Sequence, residues 1–254
     1  MIIWVLLFFI VIFISLFLAF RSMRDYTEAP VHTDTHYSLY LIKNEAGLTD
    51  ELLMKIDHII DQKRLIVSLE RLYRGSKQAL VIYGPVIILK QFADILNLVE
   101  LEDYSLKYSN HLQAGILAWE VSSKDFHKSD KPIAYQKSDA PIIDLANIPL
   151  ALSDQEELWW QLVIQPKCEK NGLQPIFKAL IRVVVIAGDN NKAQEIKSKI
   201  DNQVKQTNLL AIPQSYSSEQ IIKNYQKRSL PQHLLDKEGG HFIVGVDDIK
   251  DLLS

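Results

Sequence analysis

Cysteine is nearly missing from this chain of 254 residues, where Cys168 stands alone. A single thiol excludes a disulfide-stapled scaffold and any cysteine-rich zinc site. Glycine and proline are scarce, nine of each, beside 9% aromatic residues, a balance that argues against disorder. No sign of charge dominates either: 28 Lys and Arg face 31 Asp and Glu, for a formal charge of −3. A dedicated nucleic-acid binder normally shows a basic excess, so direct nucleic-acid binding is not expected. The tract from Lys223 to Arg228 is too short to reverse that. A glycine-rich G-x-x-x-x-G-K-[ST] loop is absent as well. Without it there are no backbone N–H groups to wrap a nucleotide's phosphates and no lysine to reach them. No metal or cofactor is expected.

Long apolar runs are confined to residues 1–20, which hold sixteen Leu, Ile, Val and Phe residues and no charge. At 1.5 Å per residue such a stretch spans about 30 Å as a helix, with Ile2, Trp4, Leu7, Phe13 and Phe20 facing lipid. Nothing basic precedes it, and Leu18-Ala19-Phe20 lacks a small-residue cleavage pair, so an uncleaved anchor is expected rather than a signal peptide. Arg21 and Arg24 follow directly. By the positive-inside rule they predict a single-pass protein of the cell membrane, N-terminus outside and the remainder cytoplasmic.

After a juxtamembrane linker over residues 21–33, local patterns predict a series of elements. His36 to Ile42 alternates as a strand does. Thr49 is a helix N-cap, followed by Leu52, Leu53, Ile56, Ile59 and Ile60 at helical spacing. Strands are expected over 65–72 and 78–83, then a helix opened by Gly84-Pro85 with Ile88, Phe92, Ile95 and Leu96 on its buried stripe. A strand over 99–104 completes a β-α-β-β-α-β order, the pattern of a ferredoxin-like fold. The first such module is placed at 34–110. A second α+β module, read as a degraded copy, is placed at 111–254 with a long connection around 122–149. The expected fold class is thus α+β, an N-terminal transmembrane helix followed by two ferredoxin-like modules.

Three phrases carry a resemblance: Val67 to Ser105, Lys131 to Lys167 with its WWQLVIQPK ending, and Lys178 to Asn208 with its IRVVVIA strand. Together they resemble the region that precedes the motor in bacterial HerA-like and type IV secretion-type ATPases. The terminal GGHFIVGVDDIKDLLS is similar to the stretch that leads into the ATP-binding domain of those proteins. The resemblance implies a membrane-anchored scaffold without its motor, acting on a separately encoded P-loop ATPase and able to form a homo-oligomer. Its implied role is non-catalytic: it localises an ATPase that translocates DNA or protein.

Other chemistry is carried by fewer residues. His32 and His36 flank Asp34, but a segment leading into a strand does not give them the shared helix face a metal needs. His36-Tyr37-Ser38 and His127-Lys128-Ser129 resemble the paired H-x-[ST] elements of two-histidine phosphoesterases, in which one histidine acts as base and the other as acid. A ligand-sensing domain is a further alternative. Trp159 and Trp160 are adjacent, so on a strand they face opposite sides. One is expected in the core, and the other either at a partner contact, together with Asp247 and Asp248, or packed as well between sheet and helix. Arg182, in the middle of LIRVVV, requires either solvent or a partner.

Overall fold

The computed structural model describes residues 12–16, 35–63, 65–108, 115–123, 152–166, 176–206, 209–211, 217–228, 230, 242–246, 249 and 252. The chain forms β1 (Tyr37–Ile42), α1 (Asp50–Lys63), β2 (Val67–Arg74), β3 (Lys77–Pro85), α2 (Val86–Leu89), α3 (Ala93–Leu96) and β4 (Leu98–Leu101). There follow β5 (Ile116–Ser123), β6 (Glu157–Pro166), β7 (Ile176–Ile186), α4 (Asn190–Gln206), β8 (Leu209–Ala211), α5 (Ser218–Lys227) and β9 (Phe242–Gly245). Short 3-10 turns lie at Glu45–Gly47, Lys90–Phe92 and Tyr104–Tyr108.

The local signals act through identifiable contacts. Thr49 Oγ1 accepts from the Leu52 N–H at 3.3 Å, and Asp50 and Glu51 occupy the first turn of α1, where the helix dipole favours acids. Pro85, with extended φ and ψ, opens α2, and Asn97 ends α3 in the left-handed region at φ 48°.

The strands join into one nine-stranded antiparallel sheet, in the order β4-β1-β3-β2-β6-β7-β5-β8 with β9 added beside β7. Its seam is the pairing of β2 with β6, which runs from Val67↔Ile164 to Arg74↔Glu157. The strand order on one side of that seam mirrors the order on the other. A separate first module would leave β2, buried along most of its length, with one edge of N–H and C=O groups unpaired, and pairing removes that cost. One core cluster consequently crosses the seam, from Leu53 and Ile56 of α1 through Leu69, Trp160 and Val183 to Ile196 and Ile200 of α4.

Two expectations are corrected here. The strands do not make two separate ferredoxin-like modules; both halves contribute to a single sheet and share a core. Nor is any helix among the described residues long and apolar enough to cross a membrane. This overturns the single-pass anchor and the cell-membrane placement that followed from it. Residues 12–16 are helical, and the rest of the expected span lies outside the described residues. Of the residues expected to face lipid, Phe13 is 76% exposed. Ile2, Trp4, Leu7 and Phe20, with Arg21 and Arg24, lie outside the described residues.

Two smaller expectations also differ from the structure. Ile95, expected on the buried stripe, is exposed, because residues 86–96 are two single turns joined by a 3-10 turn rather than one continuous helix. The strand predicted over 99–104 ends at Leu101, and Tyr104 enters a 3-10 turn.

Gly115 marks the junction of β5 with α4. Its φ is +107°, and a Cβ there would lie 2.3 Å from the Ala187 carbonyl oxygen. Its N–H donates to Asn190 Oδ1 at 2.7 Å and its carbonyl accepts from the Ala187 N–H at 2.9 Å. Gly115→Ala is expected to cost about 1–3 kcal/mol, seen as a lower Tm in a thermal melt.

Candidate functional site: a buried ionic row beneath a helix

Successive strand residues point to opposite faces, and the two faces of this sheet differ. One is apolar and carries α1 and α4. The other, beneath α5, holds a smaller apolar cluster of Ile116, Ala118, Trp159 and Val184 against Ile221, Ile222 and Tyr225. Beside that cluster runs a polar row across four neighbouring strands. Glu70 of β2 is in register with Gln161 of β6, Gln161 with Arg182 of β7, and Arg182 with Glu120 of β5. All four side chains are buried.

The row is saturated by its own members and by α5. Arg182 donates from Nε to Glu120 Oε1 at 3.1 Å, and from Nη1 to Gln161 Oε1 at 3.1 Å and the Asn224 carbonyl at 3.2 Å. Gln161 Nε2 donates to Glu70 Oε1 at 3.0 Å and to the Tyr225 carbonyl at 2.9 Å. Two side chains of the sheet thus cap carbonyls near the C-terminal end of α5, the negative end of its dipole.

Arg228 closes the arrangement. It follows α5 in the left-handed region at φ 50° and its guanidinium bridges two acids. Nε and Nη2 reach Glu70 at 2.7 and 3.3 Å, while Nη1 and Nη2 reach Asp103 at 2.6 and 3.2 Å. The same guanidinium lies 4.6 Å over the Tyr83 ring, a cation–π contact. Glu70 also accepts from Ser68 Oγ at 2.9 Å and from Tyr104 OH at 2.5 Å, and Tyr104 OH meets Tyr225 OH at 2.6 Å.

Proton affinities follow from these contacts. Burial raises both tyrosine hydroxyls well above their ordinary value, and the Glu70 charge adds to it, so both stay protonated as donors. Burial disfavours the Arg228 cation, but Glu70 and Asp103 outweigh that and raise its pKa. Burial likewise pushes the Asp103 carboxyl up, yet Arg228 and Ser105 together hold it below its ordinary 3.8. A carboxylate with a depressed folded pKa contributes stability that is full above its unfolded pKa and is lost as pH falls through the folded one. The resistance of the wild type to urea is therefore expected to fall below about pH 4, and Asp103→Asn is expected to lack that component.

The sequence-predicted residues are not gathered in this site. Trp159 and Trp160 are both buried, on opposite faces, which is the arrangement with both packed against the fold. The Trp159 ring lies edge-on to Tyr104 at 5.0 Å, and Trp160 belongs to the main core. Arg182 has its partner in Glu120. His36 is exposed ahead of β1, with its carbonyl accepting from the Val86 N–H at 2.9 Å. His127, His32, Asp34, Cys168, Asp247 and Asp248 lie outside the described residues, as does most of the connection expected at 122–149. Among the described residues no cluster of three or more His, Cys, Asp or Glu could hold a metal ion.

Glu70, Asp103, Tyr104, Tyr225 and Arg228 were missed by sequence reasoning. A signal existed: β2, β5, β6 and β7 each carry a polar residue inside an apolar strand (Glu70, Glu120, Gln161 and Arg182). In the sequence Arg228 is one more charge of the short basic tract from Lys223 to Arg228.

A second feature lies on the opposite side of the first half. The outer face of α1, with Glu51, Met54, Lys55, His58 and Ile59, and the turn residues Gln91 and Phe92 border an open groove of about 410 Å³. Met54 is 44% exposed, and Ile87 and Ile95, four residues either side of Gln91, are 64% and 47% exposed.

No protein-family model matches the chain, and no curated protein matches it.

Proposed function

We propose that this chain is a non-catalytic assembly module that binds a separately encoded P-loop ATPase of the HerA-like or type IV secretion class. The observation that carries the binding role is the α1 groove, lined by the exposed Met54 with Ile59 and Phe92, and the further exposure of Ile87 and Ile95 on residues 86–96. Large apolar side chains left in water around a concave surface mark an interaction face. The charged residues of the buried row and its Arg228 clamp, by contrast, are spent on one another, an arrangement suited to holding a shape rather than meeting a substrate. The class of partner rests on the three phrases described above. Two of them supply β2, β3, β7 and α4, and the third ends in β6.

The test is affinity capture of the tagged full-length protein after in-cell lysine crosslinking, read by mass spectrometry. A P-loop ATPase crosslinked at Lys55 or Lys90, and lost on Met54→Asp or His58→Asp, both in the groove lining, is the expected result. Recovery of the chain alone in repeated preparations overturns the assignment. Recovery of an ATPase that both variants retain removes the groove from it.

A further inference from the structure

The two faces of the sheet are covered by different physics. On one face α4 is held by Ala193, Ile196, Ile200 and Val204 packed into the main core. On the other, α5 inserts Ile221, Ile222 and Tyr225, and the rest of its attachment is polar. Ser218 Oγ bonds both the N–H and the carbonyl of Ala118, at 3.2 and 3.5 Å. Arg182 and Gln161 hold the carbonyls of Asn224 and Tyr225, Gln226 Nε2 donates to the Ser105 carbonyl at 3.0 Å, and Arg228 clamps Glu70 and Asp103. A polar contact exchanged for water contributes only modestly on balance, more where a charge takes part, and a buried ion pair gives back much of its attraction in desolvation. Elements held this way belong to the low end of local stability. The backbone ladders β2·β6, β6·β7 and β7·β5 are complete without α5.

We propose that α5 and its Arg228 cap form a releasable cover: when the clamp on Glu70 and Asp103 opens, the helix leaves the sheet as one unit with the strands still paired. What it uncovers is Trp159 and the row Glu70–Gln161–Arg182–Glu120, a surface of alternating charge spanning both halves of the fold. Asp103 is the natural point of entry, since its side chain is 24% exposed whereas those of Glu70 and Arg228 are buried. The device does not depend on the partner proposed above.

Hydrogen exchange of the full chain at neutral pH, resolved by peptide, tests it. In the wild type, amides of 218–228 are expected to exchange faster than those of 158–164 and 180–185. Asp103→Asn and Arg228→Lys each remove charge-assisted hydrogen bonds of the clamp, and should speed α5 by about tenfold or more with the strands unchanged. Glu195→Gln, which breaks exposed pairs on α4, should leave α5 as it was. Exchange of α5 at the rate of β6 and β7 in the wild type overturns the proposal, as does an α5 rate indifferent to Asp103→Asn. Asp103→Asn keeps the test decisive even where Arg228→Lys does not fold.

Discussion

Arg182→Ala is expected to destabilise the fold by about 3–5 kcal/mol, a large share of the roughly 5–15 kcal/mol available to a domain. The loss arises from what the mutation leaves behind. Glu120 would keep its buried position without its cation, while Gln161 Oε1 and the Asn224 carbonyl would lose their donor. An orphaned buried group bears its full desolvation cost. Removing the pair together is different, because well-packed apolar residues can replace buried ions at little cost. The double variant Arg182→Met with Glu120→Leu should therefore lose less than Arg182→Ala. Urea midpoints of the two variants check this, and a double variant as weak as the single one would show that the pair is not the reason.

Trp160→Ala is expected to be as damaging, about 3–5 kcal/mol, by another route. Trp160 is fully buried at the seam, with Arg71 of β2 and Val183 of β7 in register on either side. Its Nε1 has no hydrogen-bond partner, so truncation loses packing and opens a cavity without breaking a polar bond. Trp160→Phe should cost much less, since it keeps most of the volume and removes an unsatisfied donor. The ranking is read from denaturant midpoints followed by circular dichroism, which does not rely on the deleted fluorophore. Equal losses for the Phe and Ala variants would contradict a packing origin.

These two residues also show how far the sequence could be read. Apolar spacing marked the face of α1, and Thr49, Pro85 and the alternation in β1 marked where elements begin, because those signals depend on neighbours within a turn or two. Arg182 could be recognised as a charge in need of a partner, but its partner could not be named. Adjacency of Trp159 and Trp160 fixed that they face apart, and nothing local told that a helix covers both sides. Ile95 was misplaced where the helix breaks at Phe92, with φ −111°, although Leu96 beside it is buried as expected.

On its own, the chain's sequence determined which segments are strand or helix and which face of each is apolar, through backbone geometry and short-range spacing. It also set the terms of chemistry, by lacking a phosphate-binding loop and clustered cysteines. Only the tertiary structure decided that β2 pairs with β6, making one sheet of two halves, and that Glu70 meets Gln161 91 residues away and Arg228 158 residues away. The reason is physical. Spacing along a chain encodes direction relative to the local backbone, whereas a buried charge must be answered by whichever group the packed fold delivers. That delivery depends on every turn and strand between them.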